Sequence, residues 1–400
     1  MNPLEPAEQA ASRVPRTVVV LGFVSLLMDF SSELVHSVLP VFLVTSLGAS
    51  SVTVGLIEGV GEATSQIVKV FSGAISDFVG KRKVLLMAGY GLAALTKPLF
   101  PLAGSADVVF LARVLDRVGK GIRGAPRDAL VADVTPPDVR GAAFGLRQSM
   151  DTVGAILGPV AAILLMVLLR VDLRRAMWFA VIPAVLCFGL ILAAVKEPPH
   201  RASAHRFRNP IHVRELRRFG FGYWWVVGFG FIFTLSRFSE AFLVLRGRQA
   251  GLSLAWTPLV MATMSVTYAL SAYPAGIWSD RVPRVRMLGA SLLPLLLADL
   301  VLARSDSVVP LLVGVGLWGI HMGFSQGVLS ALVADSTAPD LKGTAFGVFN
   351  LACGIAMLVS NGLAGWVWQA YGSASTFYVG AVLTAGTLLF MLLRRFRSAA

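Results

Sequence analysis

Charge is what this sequence has least of. Only 14% of its 400 residues are Asp, Glu, Lys or Arg, against ~25% in soluble domains. A chain that is 56% hydrophobic, with a mean hydropathy of +0.74, cannot cover a water-facing surface. Acid is scarcer still, at 22 carboxylates against 35 cations, which leaves a net charge of +13. Cysteine is almost absent. Cys187 and Cys353 both fall in apolar stretches and read as small buried side chains, which excludes a disulfide framework. No dense cluster of His, Cys and carboxylates announces a metal or other cofactor, and no nucleophile–base constellation announces an enzyme. The first sixteen residues carry Pro3, Pro6 and Pro15 and lack the apolar core of a signal peptide, so they read as a short cytoplasmic tail. A membrane sensor would be expected to add a soluble output domain, and the stretch after Arg397 reads as too short for one.

Long apolar segments are what the sequence has instead. Most reach the ~20 residues that cross a hydrocarbon core, and about twelve can be drawn. The first six lie near 17–45, 51–78, 83–103, 106–133, 139–169 and 175–195. The other six lie near 219–246, 254–280, 285–304, 307–335, 341–369 and 374–393. Between them, 196–218 is the most polar stretch, holding Lys196, Arg201, Arg206, Arg208, Arg214, Arg217 and Arg218 against Glu197 and Glu215. The expected organisation is a tail at 1–16, a bundle at 17–195, a basic linker at 196–218, a second bundle at 219–394 and a tail at 395–400. The fold class is an all-α membrane protein.

The cations cluster in alternate loops, which is positive-inside topology and argues against nucleic-acid binding. Lys81, Arg82 and Lys83, then Arg140, the linker, Arg281, Arg284 and Arg286, Lys342 and Arg394 fall on one side, with Arg170, Arg174 and Arg175 the exception. Both termini are expected in the cytoplasm.

The halves repeat. A-L-V-A-D-V-T-P-P-D-V-R-G-A-A-F-G from Ala129 matches A-L-V-A-D-S-T-A-P-D-L-K-G-T-A-F-G from Ala331. G-A-I-S-D-F-V-G-K-R-K from Gly73 has a degraded copy, G-I-W-S-D-R-V-P-R-V-R, from Gly276. A same-direction repeat of six spans implies two pseudo-symmetric six-helix bundles with a site between them.

The loop at Gly73, its weaker copy and the repeat resemble the major facilitator superfamily of transporters. The resemblance implies that Gly73, Asp77 and Gly80, with Arg140 and the matching Asp280, form a latch that joins the bundles when the cytoplasmic end closes. Pro283 stands where the first copy has Gly80, so the second latch is expected to be looser. Gly154, Gly158 and Pro159 in span five look like the family's antiporter motif; small residues there let helices approach closely. The resemblance also places at Arg113 an arginine linked to proton transfer. Asp116 and Arg117 stand where the family has Gln and Gly, so Asp116 is expected to neutralise Arg113.

Charges inside spans are costly unless they are paired or face water. Asp29, Glu33 and His36 share one face of span one, and Glu58, Glu62, Gln66 and Lys69 one face of span two. Glu62 and Lys69 could be a structural pair. Span four carries Arg113, Asp116, Arg117 and Lys120, and span five Arg147, Gln148 and Asp151. These stripes point to a wet central cavity, with Asp29, Glu33, Arg113 and Asp116 as candidates for proton coupling. The second half offers Arg237, Glu240, Tyr268, His321, Gln326 and Asn350 as further cavity candidates.

The expected function is secondary active transport by alternating access, as proton-coupled efflux of a small organic compound or drug. Proton symport for uptake, or export of a metal ion or chelate, stays open. The expected setting is a bacterial inner membrane, with protons, a small-molecule substrate and the lipid bilayer as partners and a monomer as the working unit.

Overall fold

A computed structural model describes residues 14–197, 216–279, 281–338 and 341–397. Asp280, residues 1–13, most of the expected linker and the last three residues therefore lie outside the described residues, as does the side chain of Asp77. Among the described residues every regular element is helical.

In the first half these are α1 (Arg16–Ser46), α2 (Ser51–Val79), α3 (Arg82–Thr96), α4 (Leu99–Leu102), α5 (Ala106–Val134), α6 (Arg140–Leu168), α7 (Leu173–Phe179) and α8 (Val181–Ala194). In the second half they are α9 (Phe221–Leu235), α10 (Ala241–Gln249), α11 (Leu259–Ser279), α12 (Arg284–Ala303), α13 (Val308–Ser325), α14 (Val328–Asp335), α15 (Lys342–Tyr371) and α16 (Ser373–Arg397). They make twelve crossings, because α3–α4, α7–α8, α9–α10 and α13–α14 are each one broken span.

Among the described residues, eight helices or near-continuous helix pairs are long and apolar enough to cross a membrane by length and composition alone. The spans that fall short do so for visible reasons. α2 and α5 hold the buried charges, α9–α10 is interrupted, and α11 is rich in Ser and Thr. Local chemistry sets the ends. The Ser50 hydroxyl accepts from the Thr53 amide to start α2, and Gly80 ends it with φ at 66°, a left-handed cap that glycine adopts without Cβ strain.

Packing follows the repeat. In the first half α1 lies on α6, α5 on α2 and α3, and α8 on α1 and α3. In the second half α9 lies on α15, α13 on α11 and α12, and α12 on α16. The two bundles meet symmetrically, α2 against α15 and α6 against α11.

At the end away from the chain termini the bundles are in close contact. Ser51 donates its hydroxyl to the Gly365 carbonyl at 3.3 Å and to Gln369 at 3.0 Å. A Cβ on Gly365 would stand 2.6 Å from the Ser51 oxygen, so only glycine lets these helices approach this closely. The core reflects this geometry. One apolar cluster joins both bundles through Val38, Phe42, Phe238 and Phe242. Toward the termini the core splits into a first-half cluster around Leu21, Tyr90 and Leu130, and a separate second-half cluster around Tyr223, Val333 and Phe349.

The signature loop and its copy each carry an ion pair inside their own bundle. Arg82 Nε reaches Asp133 at 2.5 Å, its amide donates to Glu197, and Arg284 reaches Asp335 at 2.8 Å. Both pairs tie the loop after one span to the end of the span two crossings later.

Candidate functional site

Between the bundles lies a cavity of about 460 Å³. Its two walls differ in chemistry. The first-half wall presents Asp29 and Glu33 from α1, Glu62, Gln66 and Lys69 from α2, Lys120 and Arg123 from α5, and Gln148 and Asp151 from α6. The second-half wall adds methionines, Met261 and Met264 from α11, Met322 from α13 and Met357 from α15, with Tyr268 and Phe238, beside the polar Arg237, Glu240, Gln326 and Asn361. A polarisable, flexible methionine surface adapts to varied apolar shapes.

Two of the broken spans open at this level. Residues 236–240 leave helical geometry between α9 and α10 and put Arg237, Phe238, Ser239 and Glu240 on the cavity. Gln326 ends α13 beside Gly327, whose φ is 84°. There Gln326 accepts the Tyr268 hydroxyl at 2.9 Å. Non-helical backbone inside a membrane is tolerated where it lines such a cavity.

The charges are organised in layers. Glu58 is 2% exposed and accepts from Arg113 at 2.6 Å and from the Ser239 hydroxyl at 3.3 Å. Ser239 is held in turn by the Asn361 carbonyl oxygen, which accepts its amide at 2.6 Å. Arg117 bridges Glu62 at 3.0 Å and His36 at 2.8 Å. Nearer the termini, Arg147 grips Asp151 at 2.7 Å, and Arg127 donates to Ser25 at 3.0 Å while lying 3.8 Å from Asp151. Arg123 stacks its guanidinium 4.8 Å over the Tyr90 ring. Asp29 stands apart: it faces the cavity with no hydrogen bond or ion pair among the described residues.

Two expected pairings are replaced. Asp116 does not neutralise Arg113; it pairs at 2.9 Å with Lys97, which also donates to Ser32 at 3.0 Å. Lys97 occupies the break between α3 and α4, where it is 1% exposed and needs a counterion. Glu62 pairs with Arg117 rather than with Lys69, because Lys69 lies two turns further along α2 and faces the open cavity near Gly124.

Other expected residues sit off the cavity. Glu58, Arg113 and Asp116 are sealed behind its wall, and Arg147 lies beside it, reaching it through Asp151. His321 is fully buried in the second bundle, with its Nδ1 2.7 Å from the Ser291 carbonyl, and Asn350 is absent from the cavity lining. Gly154 and Gly158 seat α6 on α1: a Cβ on Gly158 would stand 2.7 Å from the Leu34 nitrogen, and Pro159 follows inside the helix.

Lys97 went unnoticed in the sequence although it interrupts an apolar run as T-K-P. Gly55 and Gly59, a G-x-x-x-G pair, meet Gly365 and Leu358 and seat α2 against α15; this signal was legible in the sequence and went unused. Among the described residues no His, Cys, Asp and Glu side chains group as a metal site.

The whole chain has known relatives. A family model described as Major Facilitator Superfamily matches residues 21–266 and 241–400. An uncharacterized MFS-type transporter of Methanocaldococcus jannaschii is 32% identical over 94% of this chain and 95% of its own. Multidrug resistance protein MdtH of Photorhabdus laumondii is 29% identical over 65% of this chain and 64% of its own. Among solved structures, the nucleoside transporter NupG superposes with a TM-score of 0.75 at 12% identity, over 95% of this chain and 99% of that one. A bacterial homolog of the human lysosomal transporter Spinster, in an inward-facing and occupied conformation, superposes at 0.71 with 15% identity, over 96% of each chain. The chain is a membrane transporter of the Major Facilitator Superfamily.

Proposed function

We propose that the chain is a proton-coupled antiporter that exports a small organic compound by alternating access. The observation that carries this reading is Asp29, an acid on the wall of an intramembrane cavity with no partner of its own, on the helix face that also carries Glu33. An unpaired intramembrane acid costs about 2.5–3.5 kcal/mol, so its presence points to a use, and exchanging a proton is the use open to it. Lys120, Arg123 and Arg127 of α5 line the same cavity and stand ready to bias that exchange as the helices move.

The methionine and aromatic wall favours a cargo with an apolar body. The likeness to a relative named as a multidrug resistance protein supports export of such a compound. In this state the cavity is separated from the end opposite the termini by the α2–α15 seam. With the cations of alternate loops on the cytoplasmic side, both termini lie in the cytoplasm of a bacterial-type plasma membrane and the cavity faces inward. Gly73, Asp77, Gly80, Arg140 and Asp280 then serve as the latch of the opposite state. One chain encloses the cavity, so a monomer suffices.

The test is purified protein in proteoliposomes, assayed from both sides with a panel of apolar organic cations, anions and neutral compounds. At least one compound moves against its gradient when a proton gradient is imposed. Equal movement of every compound with and without the gradient refutes the coupling.

A further inference from the structure

His36 lies between two carboxylates from different helices. Its Nδ1 is 3.8 Å from Glu33 on α1, and its Nε2 is 3.8 Å from Glu58 on α2. The Glu33 side chain is 24% exposed and lines the cavity, whereas that of Glu58 is 3% exposed. Glu58 sits at the seam between the bundles, where Ser239 of the second half donates to it. A cavity acid, an imidazole with one nitrogen toward each neighbour and a sealed acid make a path from cavity water to the closed side. Imidazole is the side chain suited to such a path, because it can take a proton at one nitrogen and release another from the opposite one.

The surrounding charges fix the form of the ring. From α5, Arg117 Nη2 lies 2.8 Å from His36 Nε2. A guanidinium has donors only, so Nε2 must accept and the ring proton sits on Nδ1, facing Glu33. Arg117 is held by Glu62 of α2 at 3.0 Å, and Arg113 of α5 holds Glu58 at 2.6 Å. The path is therefore shut at one point. Arg117 occupies the nitrogen that would receive a proton from Glu58.

We propose that Glu33, His36 and Glu58 form a proton relay between the cavity and the bundle seam, with Arg117 as its switch. The relay deepens the proton-coupled reading above and rests on it. When the bundles part at the seam, Ser239 leaves Glu58 and water on that side protonates it. Withdrawal of Arg117 frees Nε2. The Glu58 carboxylic acid passes its proton to Nε2 while Nδ1 gives its own to the Glu33 carboxylate. Glu58 is again a carboxylate, Glu33 is the acid, and the imidazole is neutral with its proton on Nε2; rotation of the ring resets it. Glu33 then releases its proton to the cavity, where Asp29, one turn away on the same face of α1 and on the same wall, takes it up.

The first test is nitrogen NMR of the full chain with labelled histidine in nanodiscs, using His36→Gln to identify the signal. The expected signal is a neutral ring protonated on Nδ1, and Arg117→Gln converts it to the Nε2–H or doubly protonated form. An Nε2–H ring in the unaltered protein overturns the relay, as does a ring unchanged by Arg117→Gln. The second test uses proteoliposomes loaded with a pH-sensitive dye and ethidium as the transported probe. The ratio of protons to ethidium moved falls to that of protein-free liposomes in His36→Gln. A ratio equal to that of the unaltered protein overturns the relay alone. An unaltered protein indifferent to the proton gradient removes the coupled reading and the relay with it. Should His36→Gln fail to fold, Glu33→Gln on the cavity wall both assigns the NMR signal through its shift and carries the ratio, with the same outcomes.

Discussion

Ser239 in the break of the seventh crossing donates its hydroxyl to Glu58 of α2 at 3.3 Å, across the boundary between the bundles. Glu58 is at the same time the counterion of Arg113. The seam that must open in alternating access therefore ends on a buried ion pair, and any movement there changes the surroundings of a sealed charge.

Removing one member of that pair strands the other. Glu58→Ala leaves Arg113, 3% exposed, without its nearest counterion. The expected loss is about 3–5 kcal/mol of stability, read as a lower unfolding midpoint in detergent. Glu58→Ala combined with Arg113→Ala is expected to lose less than Glu58→Ala alone, because neither member of the pair is left buried without the other.

Lys97 and Asp116 make a contrasting pair. They are buried, 2.9 Å apart, and lie off the cavity. Lys97→Met is expected to cost about 3–5 kcal/mol, and adding Asp116→Leu recovers most of it. Transport by the double variant, measured against its surviving folded fraction, tests whether Asp116 has any part in proton coupling. Retained coupling assigns the pair to structure.

Gly365 controls the closed end. A side chain there meets the Ser51 carbonyl in this state, while the state with that end open relieves the contact. Gly365→Val is expected to destabilise the present state by about 1–3 kcal/mol, a population shift of roughly five- to 150-fold. A cysteine at Gln66, which lines the cavity, reports the shift. Its labelling by an impermeant maleimide falls from the side of the chain termini and rises from the other.

Much of the architecture was legible in the sequence because membranes leave few options. The length of each apolar run fixed the crossings, and Asp133 and Asp335 marked the repeat that the structure realises as matching ion pairs with Arg82 and Arg284. The break in the seventh crossing was not legible, unlike those marked by Pro98 and Gly327. R-F-S-E at 237–240 contains no proline or glycine, and it unwinds where Ser239 finds Asn361 and Glu58, partners distant in sequence. Pairings failed for the same reason. Helical spacing shows that Glu62 and Lys69 share a face, but only packing brings Arg117 of α5 to Glu62 and Lys97 of the third crossing to Asp116. Asp299 is a lone acid in an apolar run, with no charged residue on its helix face to single it out. It is fully buried against Gly380 of α16, and neither oxygen has a hydrogen-bond partner among the described residues.

The central claim is that Asp29 couples protons to cargo. It is tested most directly by proton-gradient-driven transport in proteoliposomes, comparing the unaltered chain with Asp29→Asn, which removes the titrating group at nearly constant shape. The account predicts that the gradient drives transport in the first and has no effect in the second, with both proteins equally folded by their unfolding midpoints. Gradient-driven transport of equal size in Asp29→Asn would contradict it.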